Sequence, residues 1–295
     1  MNTNIWNDLK NLFLHPKNAL DMLLVINVAV FLLVSIVKTV FFLLSIDPTV
    51  FSSLIHWLSL PASFSALLFQ PWSIFTYMFL HQGFFHLLFN MLWLYWLGRI
   101  FIDFLNHKKL TTVYILGGIG GGLIYMVLFN LFPVFSNSVN GSYLLGASAG
   151  VLAVVVATAT LVPEYTIRLL FIGNVKLKHI ALFSILLDII SIGNSNPGGH
   201  IAHLGGALVG FIYIKQLQKG NDFGQKIGNF FSGFTNMFNK KDPIKVVHKQ
   251  TVSKPKSKTA ADQKTIDGIL DKISESGYDS LSVEEKRILF QASED

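Results

Sequence analysis

The sequence predicts an all-α polytopic membrane protein: a bundle of six transmembrane helices followed by a small cytoplasmic helical segment. Three observations carry that expectation. Of the 295 residues, 52% are hydrophobic and 14% charged, against roughly 45–50% and about 25% in ordinary soluble chains, and the mean hydropathy is +0.51. Apolar runs recur at 22–44, 80–101, 110–132, 148–162, 179–192 and 201–217, the longer ones able to cross a bilayer, which takes about 20 residues. Finally, Lys and Arg occupy alternate connections between these runs.

The segment 1–20 mixes acid and base and reads as a cytoplasmic N-terminal segment, with 5–14 (Trp6, Phe13) as an in-plane helix. It is not read as a cleavable signal peptide, because the first apolar run is too long for one. The bundle itself is placed at 21–218. Lys10 and Lys17 precede the first run; Arg99, Lys108 and Lys109 lie between the second and third; Arg168, Lys176 and Lys178 lie between the fourth and fifth; Lys215 and Lys219 follow the sixth. The connections 45–79, 133–147 and 193–200 carry no Lys or Arg. Basic residues favour the cytoplasmic side, so both termini are expected there, and the second, fourth and sixth spans run from outside to inside. Lys38, inside the first span, can snorkel to the outer surface. The Phe-, Leu- and Trp-rich outer loop 45–79 is expected in the membrane interface. A basic flexible linker follows at 219–261, with seven Lys and one Asp over 240–258, attractive to anionic lipid. The last segment, 262–295, reads as a cytoplasmic helical hairpin: one helix bears Ile266, Ile269, Leu270 and Ile273 and stops at Gly277, and a second opens on a capping box from Ser282 to Glu285.

Composition also excludes classes of function. Net charge is +6, but positions 1–218 hold 10 basic and 6 acidic residues and 219–295 hold 13 and 11. Neither excess is a nucleic-acid footprint. With no cysteine there is no disulfide framework, thiol nucleophile or Cys-ligated metal. The expected surroundings are the lipid bilayer; no cofactor and no metal is called for, and the oligomeric state is open.

Polar residues within spans are costly and mark function. The fourth run opens on Gly146-Ala147-Ser148-Ala149-Gly150. Its letters match a G-x-S-x-G elbow, which needs a strand and a soluble α/β sheet that this chain lacks. As helix, 148–162 covers about 22 Å of a core about 30 Å thick, so Ser148 is expected several ångströms below the outer surface. His81, His86 and Asn90 stand near the outer end of the second span, and His200 and His203 open the sixth. Small residues form stripes at Ala149, Ala153, Ala157 and at Ala202, Gly206, Gly210. Such stripes let helices approach closely, and if these two face each other, Ser148 meets His203. A hydroxyl beside a general base suits nucleophilic catalysis. The oxyanion that forms needs donors, which Asn90, His86 and the first-turn N–H of Ser148 can supply. His200 is read as interfacial. Asp188, in the outer third of the fifth span, is read as a hydrogen-bonded structural or gating carboxyl.

His86-Leu-Leu-Phe-Asn90, Gly146-Ala-Ser148 and Ala202-His203-Leu-Gly-Gly206-Ala-Leu-Val-Gly210 together resemble the rhomboid intramembrane serine proteases, over roughly residues 20–218. The resemblance implies a bacterial-type six-helix rhomboid of an inner (cytoplasmic) membrane. Its chemistry would be a Ser148–His203 dyad without an acidic third member, with an oxyanion site drawn from His86, Asn90 and the Ser148 N–H. The substrates implied are transmembrane proteins cleaved near the outer membrane face, with the fifth span and the loop before the sixth as gate. The chain departs from the family pattern in three places: Ala149 stands where Gly is usual, Leu152 where an aromatic is frequent, and the first outer loop has no Trp-Arg pair.

The function expected is therefore a serine endopeptidase. The competing readings are a proteolytically inactive relative that binds or escorts membrane clients, and a transporter or metal site built from the histidines. The last is disfavoured because no carboxylate is expected to join them near the outer face and no H-E-x-x-H is present.

Overall fold

The computed structural model describes Pro16 and residues 18–169, 173–222, 224–225 and 260–293. The in-plane helix expected at 5–14, with Lys10 and Lys17, and nearly all of the linker 219–261 lie outside the described residues. The chain divides into two compact units, Met1–Thr235 and Asn236–Asp295.

Each predicted apolar run becomes a helix in the first unit, displaced by a few residues at most: α1 Ala19–Leu43, α5 Phe84–Phe104, α6 His107–Leu131, α7 Ser148–Leu161, α8 Leu177–Ser191 and α9 Pro197–Gln218. Among the described residues, α1, α5 and α6 are long and apolar enough to cross a membrane, and α7 is a shorter apolar helix. The boundaries follow from local chemistry. Asn18 caps α1 by accepting the Asp21 N–H, and Asn106 caps α6 by accepting that of Lys109, satisfying donors the first turn leaves free. The segment 45–79 contains the short helices α2 Pro48–Leu58, α3 Phe64–Phe69 and α4 Ser73–Thr76. It is pinned to the bundle by the Tyr77 hydroxyl, which donates to Gly118 O at 2.6 Å.

The helix carrying Ser148 is the centre of the bundle. Every residue of α7 from Ala149 to Ala159 is buried, as expected of a helix apolar all round, and it touches α5, α6, α8 and α9. The two small-residue stripes do face each other. A Cβ at Gly206 would land on the carbonyl oxygen of Ala149, and one at Gly210 on that of Ala153. A third stripe, on α6, joins them: a Cβ at Gly121 would meet Ala149 Cβ at 2.8 Å, and one at Gly117 would meet Ala153 Cβ. Three backbones thus converge on two alanines.

Two small sheets finish this unit. β1 (Leu60–Pro61) pairs antiparallel with β2 (Tyr143–Leu144), tying the segment 45–79 to the one that leads into Ser148. Between α7 and α8, β3 (Thr166–Leu169) pairs antiparallel with β4 (Gly173–Lys176). Glu164, just after α7, bridges to Lys176 at 2.7 Å and to Lys178. The Lys176 and then the Lys178 ammonium hold its carboxyl down at about 2.

In the second unit, α10 (Ala260–Ser276) stops at Gly277, whose φ is +77°. The second helix, α11 (Val283–Ser293), opens on the expected reciprocal cap: Ser282 N donates to Glu285 Oε2 at 2.7 Å and Glu285 N to Ser282 Oγ at 3.3 Å. Lys272 reaches across to Glu285 at 2.9 Å.

Gly206→Ala forces a methyl onto backbone and is expected to destabilise the bundle by about 1–3 kcal/mol; an unchanged unfolding midpoint in detergent would contradict the close approach. The Glu164 tie has a pH signature. Its carboxyl is depressed in the fold, so its contribution is complete above the ordinary value of 4.5 and is lost as pH falls through about 2. Thermal unfolding of Glu164→Gln should match that of the parent near pH 2 and fall slightly below it at neutral pH, slightly because the pair is solvent-exposed.

Candidate active site

Ser148 is the first residue of α7, so its N–H has no acceptor within the helix and lies at the positive end of the dipole. The turn that delivers it depends on Gly146, whose φ of +134° disfavours any residue with a side chain. The Gly146 N–H donates to Tyr77 O at 2.9 Å. A Cβ on Gly146 would come within 3.2 Å of His86 Nε2 and 3.5 Å of Ser148 Oγ. The missing side chain keeps open the space between these two groups.

His203 is set by the start of α9. Asn196 adopts a left-handed conformation with φ of 49° and caps the helix by accepting the Gly199 N–H at 3.1 Å, with Pro197 in the first turn. Two turns on, His203 Nε2 lies 2.6 Å from Ser148 Oγ. The pairing expected from facing stripes is therefore present, and the close approach of α7 and α9 is what permits it.

Asp188 is hydrogen-bonded as expected, but to the histidines, which no carboxylate is expected to join, and His200 departs from expectation with it. Asp188 Oδ1 lies 2.8 Å from His203 Nδ1 and 2.7 Å from His200 Nδ1, so a carboxylate does join the histidines and His200 is not simply interfacial. The three side chains offer ligand atoms within 4.8 Å of one another, and they satisfy one another through hydrogen bonds to the shared oxygen. Sequence reasoning places Asp188 in the fifth apolar run but has no means of aiming it. The usable signal is that it is the one acidic residue within the apolar runs from 148 onward.

His86 and Asn90 lie one turn apart on α5, and Asn90 Nδ2 donates one hydrogen to His86 O at 2.8 Å. The second amide hydrogen remains for another acceptor. His81 belongs elsewhere. The helix begins only at Phe84, because Gly83 caps it, so His81 sits in the preceding loop, 5% exposed, with its ring edge-on to His86 at 5.1 Å.

These groups open onto one cavity of about 540 Å³, lined by Ser148, His203, His86, Asn90, Asp188 and His200 at its polar end. Phe85, Phe89 and Trp93 of α5, Val151, Leu152 and Val155 of α7, and Ser184, Leu187 and Ser191 of α8 form the remainder, which is mostly apolar. A nucleophile, a base at hydrogen-bond distance and donors on the opposite wall suit acyl transfer.

Part of this sequence is shared with known proteins. Residues 68–219, just over half of the chain, match the rhomboid domain, and residues 254–295 match a family of unknown function, DUF6576. RHOMBOID-like protein 12, mitochondrial, of Arabidopsis thaliana is 31% identical over 158 residues, covering 50% of this chain and 47% of that protein. RHOMBOID-like protein 1 of the same plant is 30% identical over 155 residues, covering 51% and 36%. The chain thus spans half or less of the length of these curated relatives. With its buried serine helix and matched domain, this integral membrane protein belongs to the rhomboid family.

Proposed function

We propose that the chain is an intramembrane serine endopeptidase that cleaves transmembrane proteins near the outer membrane face, its termini lying on the cytoplasmic side of a bacterial inner membrane. The observation that carries this reading is the 2.6 Å contact of His203 Nε2 with Ser148 Oγ, at the polar end of a cavity. His203 Nε2 takes the hydroxyl proton as Oγ attacks a peptide carbonyl carbon, and the carbonyl electron pair moves to oxygen. His86, the Asn90 amide and the Ser148 N–H hold that oxyanion. Its collapse breaks the C–N bond, and Nε2 returns the proton to the leaving amine. Water then attacks the acyl-enzyme, giving a proton to Nε2 and releasing the new carboxyl terminus as Oγ regains a proton.

The substrate backbone must be extended to reach Oγ, and an intact helix hides its carbonyls in intrahelical hydrogen bonds. Gly and Pro weaken a helix by roughly 1 and 3 kcal/mol, so segments containing them beside the scissile bond are the favoured substrates.

Purified protein in liposomes should cleave a fluorogenic transmembrane reporter. Ser148→Ala and His203→Ala are each expected to lower kcat by at least about 10³-fold. Wild type that is silent on several reporters and refuses a fluorophosphonate would sink the protease reading in favour of client binding. Asn90→Ala should lower kcat by about 10²–10³-fold with the fold intact, the usual loss of one oxyanion donor; unchanged kcat would remove Asn90 from that role. Gly146→Ala should abolish cleavage by filling the gap between His86 and Ser148, read as lost turnover together with slower probe labelling.

A further inference from the structure

Among the described residues, the buried polar group with no part in the dyad chemistry above and the shortest path to it is Asp188. It projects inward from α8, whose neighbouring Leu186, Leu187, Ile189 and Ile190 are exposed on the protein surface, and it is 7% exposed itself. A carboxylate at such a place is costly unless hydrogen-bonded. It has two partners, His200 Nδ1 and His203 Nδ1, both on its Oδ1.

The second partner has a chemical consequence. For His203 to accept the Ser148 proton, Nε2 must be bare and the ring hydrogen must sit on Nδ1. A neutral imidazole without a partner at Nδ1 can equally carry its hydrogen on Nε2 and donate it to Oγ, which is an unreactive arrangement. An acceptor at Nδ1 removes that choice, fixes the ring plane, and stabilises the imidazolium that forms when Oγ attacks. Ring stacking does not orient the imidazole, since the ring contact of His203 among the described residues is with His200, nearly perpendicular at 84°. His200, one turn before His203 on α9, holds the carboxylate from the other side, so Oδ1 is fixed by two donors of a single helix.

We infer that Asp188 is a positioning residue that extends the Ser148–His203 dyad to a Ser–His–Asp relay of hydrogen bonds, with His200 as the donor that fixes the carboxylate. This rests on the protease reading and adds a residue to it. No proton passes to Asp188 in the cycle; it acts through His203 alone. Because Asp188 stands on α8 and both histidines on α9, the relay also requires those two helices to be docked during turnover.

The test is steady-state cleavage of the transmembrane reporter by the full chain in liposomes, comparing wild type with Asp188→Asn. Asparagine keeps the shape but has no charge, and its amide can face Nδ1 with a donor. The expected result is a fall in kcat of about 10²–10⁴-fold with KM within about threefold, and a parallel fall in the rate of fluorophosphonate labelling of Ser148. Equal kcat in both proteins would overturn the inference while leaving the protease intact. A raised KM with kcat retained would also overturn it, assigning Asp188 to substrate binding. An inactive, unlabelled wild type would overturn both readings together. Should the variant fail to fold, the wild type still decides: proton NMR of histidine-labelled protein should show a strongly downfield Nδ1–H resonance that disappears in His203→Ala, and its absence would refute the hydrogen bond.

Discussion

The approach of three backbones at Ala149 and Ala153 is the constraint on which the remainder of this bundle depends. Side chains of ordinary size hold helices 8–10 Å apart, and lipid tails offer no hydrophobic reward for packing one helix on another. The glycines at 117 and 121 on α6 and at 206 and 210 on α9 remove that spacing. What remains is direct contact of backbone with methyl and carbonyl, strong in dispersion because no void is left. The hydrogen bond between Ser148 and His203 is a by-product of the same closeness. Each residue adjoins the top member of its stripe, so the distance between hydroxyl and imidazole is set by the helix crossing rather than by a flexible loop.

Most polar side chains buried in the bundle are answered in one of two ways, while among the described residues the Ser73 and Tyr125 hydroxyls and both ring nitrogens of His81 have no hydrogen-bond partner. Most of its buried hydroxyls and amides turn back onto backbone, as Thr158 does to Val154 O and Asn27 to Leu23 O. Ser148, His203, His200 and Asp188 answer one another across helices instead. Tyr77 and Tyr114, whose hydroxyls donate to Gly118 O and Met78 O, lock the loop behind the site to the bundle.

Much of this is legible in the sequence because its signals are of the right kind. Hydropathy locates every long helix of the first unit, charge asymmetry supplies their expected order of direction, and the spacing of Ala and Gly pairs Ser148 with His203 from the letters alone. The Ser282–Glu285 cap is equally local and equally readable. What stays hidden are relations set by helix rotation. Asp188 is legible as the acid of the fifth apolar run, but which way α8 turns it depends on packing against α7 and α9. The glycines of α6 are visible as letters, yet nothing local tells that they face the same alanines as α9. His81 is misplaced because a shift of a few residues in a helix start, at Gly83, has almost no hydropathic signature.

The burial of α7 on every side has an evolutionary corollary. The helix that bears Ser148 has no surface on which a bilayer of different thickness or composition could act, and nearly every substitution along it must be accommodated by four neighbours at once. The apolar flanks of α5 and α8 that do not line the cavity face the other way, with Tyr95, Trp96, Leu182 and Phe183 all exposed. Substitutions can therefore be accommodated more readily on the exposed faces of two peripheral helices than anywhere along the third, so that different parts of one small protein are free to change at different rates.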